Sequence, residues 1–395
     1  MPLDALTFSH LRQQVRRFVT ARLVPNEDRV EREDAVPEEL ISEMKALGLF
    51  GLSIPEEYGG LGLTLSEEAA LCLELGQTSP AFRSVFGTNV GIGSQGILID
   101  GTEAQKRVWL PRIATGEAIF SFALTEPDAG SDAASLRTSA VLSGDEYVLN
   151  GVKRYITNAP RATGFTVMAR TDPSSTRADG ISAFIVPSDT PGLRLGSPDR
   201  KMGQRGTMTC DVIFEDARVP AGNLIGGTPG GGFKTAMRVL DRGRLHIAAV
   251  AAGMARRLLN DSLAYASARR QFGKPIGDFQ LVQAMLANMQ ADLLAGEAMV
   301  REACLRYDDA QARPDPQMPM VAAACKYFVT EMAGRTADSA VQIHGGAGYM
   351  SEYKVERFYR DVRLLRLYEG TSQILQLVVA KGLKTHGPVL SRERS

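Results

Sequence analysis

Apolar residues recur at helical spacing from residue 3 to about residue 116, with breaks at Pro25, Pro37, Pro55 and the Gly59-Gly60 pair. That periodicity predicts an α-helical domain over residues 1–116. From residue 117 to residue 226 the period shortens. β-branched and aromatic runs such as Tyr147-Val148-Leu149, Thr166-Val167-Met168 and residues 181–186 alternate with Gly, Pro, Asp and Ser turns, which predicts a β domain over residues 117–226. A glycine-rich connection at 226–232 then gives way to long amphipathic runs at 233–270, 280–307, 320–345 and 373–383, so residues 227–395 read as a helical bundle. The fold class is α+β, ordered helix, sheet, helix bundle.

Composition narrows the functions open to such a chain. Its 395 residues suffice for two or three domains, and 44% hydrophobic with 23% charged residues is ordinary for a globular protein. Lys plus Arg and Asp plus Glu both total 45, so no global field recruits nucleic acid or an anionic membrane. Cys72, Cys210, Cys304 and Cys325 are widely spaced without C-x-x-C, and His10, His246, His344 and His386 lack metal-binding helical spacing. Reduced core thiols and no metal are expected. The start around Asp4 lacks the basic and apolar segments of a leader, and the longest apolar stretch, 247–255, is far short of the roughly 20 residues that span a bilayer. A cytoplasmic location without a membrane partner is the expectation.

Candidate chemistry concentrates in two places. In Leu124-Thr125-Glu126-Pro127-Asp128-Ala129-Gly130-Ser131-Asp132, Pro127 sets a turn, Gly130 admits a close ligand, and Thr125 and Ser131 can hydrogen-bond a heterocycle or phosphate. In Tyr368-Glu369-Gly370-Thr371, a carboxylate beside an aromatic ring can be partly desolvated and serve as a general base. Read alone, Glu369 is more often a solvated helix-end carboxylate, and Arg269 and Arg270 are more often solvated helix charges. The run Gly91-Ile92-Gly93-Ser94-Gln95-Gly96 spells a dinucleotide fingerprint, yet Phe86-Gly87-Thr88-Asn89-Val90 is a poor strand and no βαβ pattern surrounds it. Small residues that let helices pack explain it better. A serine hydrolase is disfavoured because Ile92, not glycine, stands two positions before Ser94.

The stretch at 124–132 resembles the flavin-binding signature of the acyl-CoA dehydrogenase family. Asn150-Gly151-Val152-Lys153-Arg154-Tyr155-Ile156-Thr157-Asn158, residues 269–272, residues 342–348 and Tyr368-Glu369-Gly370-Thr371 are similar to further family motifs in the family's order, and weaker resemblances lie at 48–62 and 101–116. The resemblance implies an N-terminal α-helical domain, a middle β-barrel or sandwich domain and a C-terminal four-helix bundle. It implies FAD as cofactor, an acyl-CoA substrate, an electron-transfer flavoprotein as acceptor, and a homotetramer built as a dimer of dimers, working in fatty acid or amino acid catabolism. In that family Glu369 would abstract the α-proton while flavin N5 takes the β-hydride, giving the trans-2-enoyl-CoA.

Residue by residue, the resemblance places Phe122, Leu124, Thr125, Gly130 and Ser131 on one side of the flavin and Tyr155, often Trp in the family, with Thr157 on the other. Arg269, Gln271, Phe272 and Gln280, completed by Gln342, Gly345 and Gly346, would reach a neighbouring subunit's flavin, and Thr371 and Gln373 would hold its other flank. Ser131, Asp241, Arg244, Tyr368 and Gly370 would contact substrate. Some subfamilies carry the base at the position of Gly243, which is empty of a carboxylate here.

Arg83, in Pro80-Ala81-Phe82-Arg83-Ser84, resembles the arginine with which glutaryl-CoA dehydrogenases hold a distal carboxylate. Those relatives have a serine where Gly87 stands and a carboxylate where Gly76 stands, so Arg83 is either a tail receptor or a structural or surface arginine. Three alternatives accompany dehydrogenation: a glutaryl-CoA-type enzyme, an acyl-CoA oxidase, and a non-catalytic protein that holds acyl-CoA and flavin.

Overall fold

A computed structural model describes residues 3–389; residues 1–2 and 390–395, the outer ends of the first and last predicted domains, lie outside the described residues. The first region is helical: α1 (Ala5–Phe18), α2 (Glu27–Glu33), α3 (Glu38–Ala46), α4 (Leu65–Leu75), α5 (Pro80–Thr88), α6 (Gln95–Asp100) and α7 (Glu103–Ala114). Their starts are written locally. Asp4 caps α1 by accepting from the Leu6 and Thr7 N–H groups, both at 3.0 Å, and Thr64 with Glu67 and Thr102 with Gln105 form capping boxes on α4 and α7.

The middle region is one seven-stranded sheet ordered β1 (Phe120–Ala123), β4 (Gly164–Arg170), β2 (Ser139–Ser143), β3 (Glu146–Thr157), β7 (Thr209–Pro220) and β6 (Leu193–Leu195), with β5 (Ile181–Pro187) also paired to β4. β1 runs parallel to β4, whereas β3 and β7 form the long antiparallel pair at its centre. Their register breaks between Lys153 and Ile156, where Tyr155 takes a positive φ of 59°. Such a bulge turns a side chain away from the ladder.

The last region comprises α8 (Gly232–Ala268), the small hairpin β8 (Arg270–Gln271) and β9 (Lys274–Pro275), α9 (Gln280–Ala312), α10 (Met318–His344), α11 (Lys354–Leu365) and α12 (Ser372–His386). In α8 every residue from 242 to 255 is buried, as expected of a helix covered all round. One of its neighbours comes from the first region: Leu65, Ala69 and Cys72 of α4 belong to the bundle core, and Asp308 of α9 accepts from the Leu65 and Ser66 N–H groups at 2.7 and 2.9 Å. The crossing is close because Gly76 and Gly253 meet, and a Cβ on Gly76 would lie 3.0 Å from the Gly253 Cα. All four cysteines are buried and free. Among the described residues no helix is long and apolar enough to cross a membrane.

The dinucleotide-like run is not preceded by a strand. Residues 80–88 are α5, residues 89–93 make one wide helical turn, and a Cβ on Gly93 would collide with the Phe120 carbonyl oxygen. Gly96 lies against Thr166, 3.2 Å from where its Cβ would be. Gly93 thus lets the segment rest on the sheet, while Gly91 and Gly96 leave room for α8, their Cβ positions falling 3.8 Å from His246 Nδ1 and 3.7 Å from Thr235 Cγ2, so the small residues serve packing against a helix as well as against the sheet.

Candidate active site

A cavity of about 360 Å3 opens where β1, β3, α5, α8 and the turn between α11 and α12 converge. Phe122, Leu124, Thr125, Gly130 and Ser131 line it from β1 and the loop that follows, and Tyr155 and Thr157 line it from β3. That loop is pinned from behind. The buried Glu126 carboxylate accepts from the Arg137 and Thr138 N–H groups at 2.6 and 2.9 Å and from Lys153 Nζ at 2.8 Å, and Lys153 also donates to the Leu124 carbonyl at 3.1 Å. Burial brings the Lys153 ammonium down to about 8, with Glu126 opposing. A buried pair of this kind is weak evidence for stability but fixes geometry. The β3 bulge adds a tie, since the Arg154 N–H donates to the Thr125 carbonyl at 2.8 Å.

Glu369 sits in the turn before α12 with a positive φ of 54°, a conformation that a non-glycine residue holds only when its surroundings impose it. Three consecutive carbonyls are held by cations. Lys326 Nζ donates to Tyr368 O at 2.9 Å and to Gly370 O at 2.7 Å, and Arg244 Nε donates to Glu369 O at 3.2 Å. Thr371 then caps α12 by accepting from the Ile374 N–H at 3.3 Å. The Glu369 residue borders the cavity, but its Oε2 is sealed from solvent and has no hydrogen-bond partner among the described residues. Burial raises the carboxyl above its ordinary value, with Arg83, Lys326 and Arg244 opposing. Glu369 is thus not a solvated helix-end carboxylate.

Gly243 of α8 faces this carboxylate: a Cβ there would lie 2.5 Å from Glu369 Oε2 and 2.9 Å from Ile92 Cγ2. Gly243→Ala is therefore expected to displace the carboxylate and lower kcat by on the order of tenfold to a hundredfold. Steady-state turnover at equal flavin content checks this.

Arg83 is buried, which corrects the surface alternative, and it lines the same cavity. Its Nε donates to His246 Nε2 at 2.7 Å, and His246 Nδ1 bonds Glu68, whose other oxygen is paired with Arg242. Burial would raise the Glu68 carboxyl, but Arg242 and His246 bring it down to about 2. Cys72 Sγ lies 3.5 Å from His246 Nε2, so Glu68, Cys72 and His246 make a cluster of potential metal ligands. Two guanidiniums already occupy that cluster, and a cation there would face their charge.

The other sequence-predicted residues are distributed unevenly. Arg244, Tyr368 and Gly370 line the cavity, whereas Asp241 does not and instead pairs with Arg244 at 2.6 Å. Arg269, Gln271, Phe272, Gln280, Gln342, Gly345, Gly346 and Gln373 are exposed and lie outside it. Tyr265 stacks on His344 with ring centroids 4.1 Å apart, which brings the ends of α8 and α10, and so Arg269 and Gly345, to the same end of the bundle. Residue-level reading missed Lys326, His246 and Glu68. The available signal was ionisable residues set among apolar ones, as with Lys326 between Cys325 and Val329 and His246 beside Ile247.

The donor set fits a flavin. Phe122, Leu124 and Tyr155 give aromatic and aliphatic lining, the hydroxyl residues Thr125, Ser131 and Thr157 line the same cavity, and a Cβ on Gly130 would meet nothing within 4 Å. Three family models match in chain order: the acyl-CoA dehydrogenase N-terminal domain over residues 7–117, the middle domain over 121–217 and the C-terminal domain over 230–384. A probable acyl-CoA dehydrogenase of Bacillus subtilis (strain 168) is 43% identical over 373 residues, covering 94% of this chain and 97% of that protein. Butyryl-CoA dehydrogenase from Megasphaera elsdenii superposes with a TM-score of 0.91 at 34% identity, over 97% of this chain and 99% of that one. A glutaryl-coenzyme A dehydrogenase in its glutaryl-CoA complex superposes with a TM-score of 0.90 at 33% identity, over 100% of this chain and 98% of the other.

Proposed function

This chain belongs to the acyl-CoA dehydrogenase family and is a flavin oxidoreductase acting on CH–CH bonds; on that premise we propose that it converts an acyl-CoA thioester to the trans-2-enoyl-CoA. The observation that carries the reading is Glu369, a residue that borders the cavity, whose buried Oε2 has no partner among the described residues and whose pKa is raised. Such a group takes a proton from a carbon acid without first surrendering a hydrogen bond. The Glu369 N–H donates to no group among the described residues, which leaves it for the thioester carbonyl as charge develops there.

The flavin is FAD in this reading, held by Phe122, Leu124, Thr125, Gly130 and Ser131 on one side and by Tyr155 and Thr157 on the other, with Thr371 and Gln373 on a further flank. Bound there, it supplies the two-electron acceptor for the β-hydride. Ser131, Asp241, Arg244, Tyr368 and Gly370 hold and orient the substrate, Asp241 by fixing Arg244. The exposed group from Arg269 to Gln280, with Gln342, Gly345 and Gly346, serves a neighbouring copy's FAD, so the working form is a homotetramer. Electrons leave to an electron-transfer flavoprotein in the cytoplasm.

Anaerobic titration of the holoenzyme with butyryl-CoA, octanoyl-CoA, isobutyryl-CoA and glutaryl-CoA tests this through bleaching of the flavin band near roughly 450 nm. Bleaching by one thioester is the expected result. Flavin that stays oxidised with every acyl-CoA would instead make the protein a non-catalytic binder. A second reading, a glutaryl-CoA-type enzyme, is favoured by Arg83: no group among the described residues accepts from its terminal nitrogens, although the side chain is buried and borders the cavity. Glutaryl-CoA winning the titration, with carbon dioxide release, would select it.

A further inference from the structure

We propose that Glu68 and His246 are positioning residues that aim Arg83 at the end of the acyl chain, so that a buried relay sets the pocket's preference for a carboxyl-ended over a methyl-ended tail. This rests on the second reading above, in which Arg83 receives a distal carboxylate, and adds what holds the receptor in place.

The proton positions follow from chemistry. A guanidinium only donates, so His246 Nε2 must accept the 2.7 Å bond from Arg83 Nε. The imidazole proton is then on Nδ1 and points at Glu68, whose second oxygen is held by Arg242. Burial, reinforced by Arg83, brings the His246 ring down to about 4, which keeps it neutral and able to accept. The relay therefore runs from an anchored carboxylate through a single imidazole tautomer to one edge of the guanidinium. The other edge, with both terminal nitrogens, is left for a ligand, and an arginine fork matches a carboxylate through two parallel bonds.

The glycines around Arg83 are consistent with this path. A Cβ on Gly87 would collide with Arg83 Nε and lie 2.8 Å from its Cδ, so the side chain lies across the bare Gly87 backbone. Gly91 stands where its Cβ would be 3.7 Å from a terminal nitrogen of Arg83. Gly76 is committed to the crossing with Gly253 and has no room for a side chain. The serine and carboxylate expected by resemblance at Gly87 and Gly76 are thus absent, and Glu68 acting through His246 supplies the missing anchor from a different part of α4.

The test compares glutaryl-CoA with pentanoyl-CoA, a tail of equal carbon number ending in methyl, as the ratio of kcat/KM on flavin-loaded enzyme. General damage to the site lowers both values and leaves the ratio alone. The wild type should favour glutaryl-CoA by about tenfold to a hundredfold, the worth of hydrogen bonds to a charged group. Arg83→Met should abolish that preference. His246→Leu should reduce it by at least about tenfold, while His246→Gln, which keeps one donor and one acceptor, should hold it within about threefold. If Arg83→Met leaves the ratio at its wild-type value, the tail-receptor reading falls and the relay falls with it. If Arg83→Met abolishes the preference but His246→Leu retains it, the relay alone is overturned.

A pH series on the wild type needs no variant. The charged and titratable groups facing His246 are Glu68 and Cys72 from α4, Arg83 from α5 and Arg242 from α8, with Glu369 beyond Arg83. Both substrates share one base, so the titration of Glu369 cancels in the ratio. The ratio should stay flat between about pH 6 and pH 8, and an inflection near the ordinary histidine value of roughly 6.5 would overturn the neutral relay.

Discussion

Glu369→Gln is expected to keep its flavin, lose at least about two orders of magnitude in turnover, and melt no lower than the wild type. The first two outcomes follow from removing a proton acceptor without changing its shape. The third follows from linkage. Burial raises the Glu369 carboxyl in the folded chain, so between its unfolded and folded values the native state binds more protons than the unfolded one. Its ionisation costs the native state, fully so above the folded pKa, and the cost disappears below the unfolded value. Glutamine removes that cost, which the wild type bears increasingly as pH rises above the unfolded value, so the comparison belongs on the alkaline side, at about pH 8. Thermal melts of both proteins at that pH, alongside single-turnover flavin reduction, check the pair of claims. Near-normal activity would remove Glu369 from the chemistry, and a strongly lowered melting temperature would make it a structural residue.

Lys326→Met carries the second largest effect, although Lys326 does not line the cavity. The ammonium holds the Tyr368 and Gly370 carbonyls and is one of the cations that oppose the rise of the Glu369 pKa. Methionine leaves two carbonyls without a donor, each costing about 1–3 kcal/mol, and recovers the desolvation that brings the Lys326 ammonium down to about 8. These contributions offset in stability but not in function, because the turn that holds Glu369 at positive φ loses its tether. Turnover should fall about a hundredfold. The pH at which flavin reduction reaches half its maximum should also move upward, since without the ammonium less positive charge remains to stabilise the ionised carboxylate and the Glu369 pKa rises. A profile that falls in height without moving would deny Lys326 its electrostatic part.

The layer order was legible in the sequence because hydrophobic period is local: helical spacing in the first and last regions and short β-branched runs between them reappear as α1–α7, the seven-stranded sheet and α8–α12. Phe122, Leu124, Thr125, Tyr155, Thr157 and Glu369 were legible as motifs, and they border one cavity. The bulge that aims Tyr155 was not, since nothing in Lys153-Arg154-Tyr155-Ile156 marks a register break against β7. The sharing of α4 with the bundle was hidden as well, because it depends on Gly76 meeting Gly253 across a long sequence gap. Lys326, His246 and Glu68 escaped for the same reason. Each is unremarkable beside its sequence neighbours, and its role comes from partners on other helices.

The contact between Gly243 and Glu369 bears on where the base can stand. Relatives by resemblance carry their carboxylate at one of these two positions, and here a single methyl group on Gly243 already intrudes on Glu369 Oε2. A carboxylate side chain added at Gly243 would have to push Glu369 Oε2 aside, because its first carbon already needs that space. In this geometry the two positions compete for one space, and the bare α8 backbone at Gly243 is the condition for a carboxylate at 369 to sit where it does.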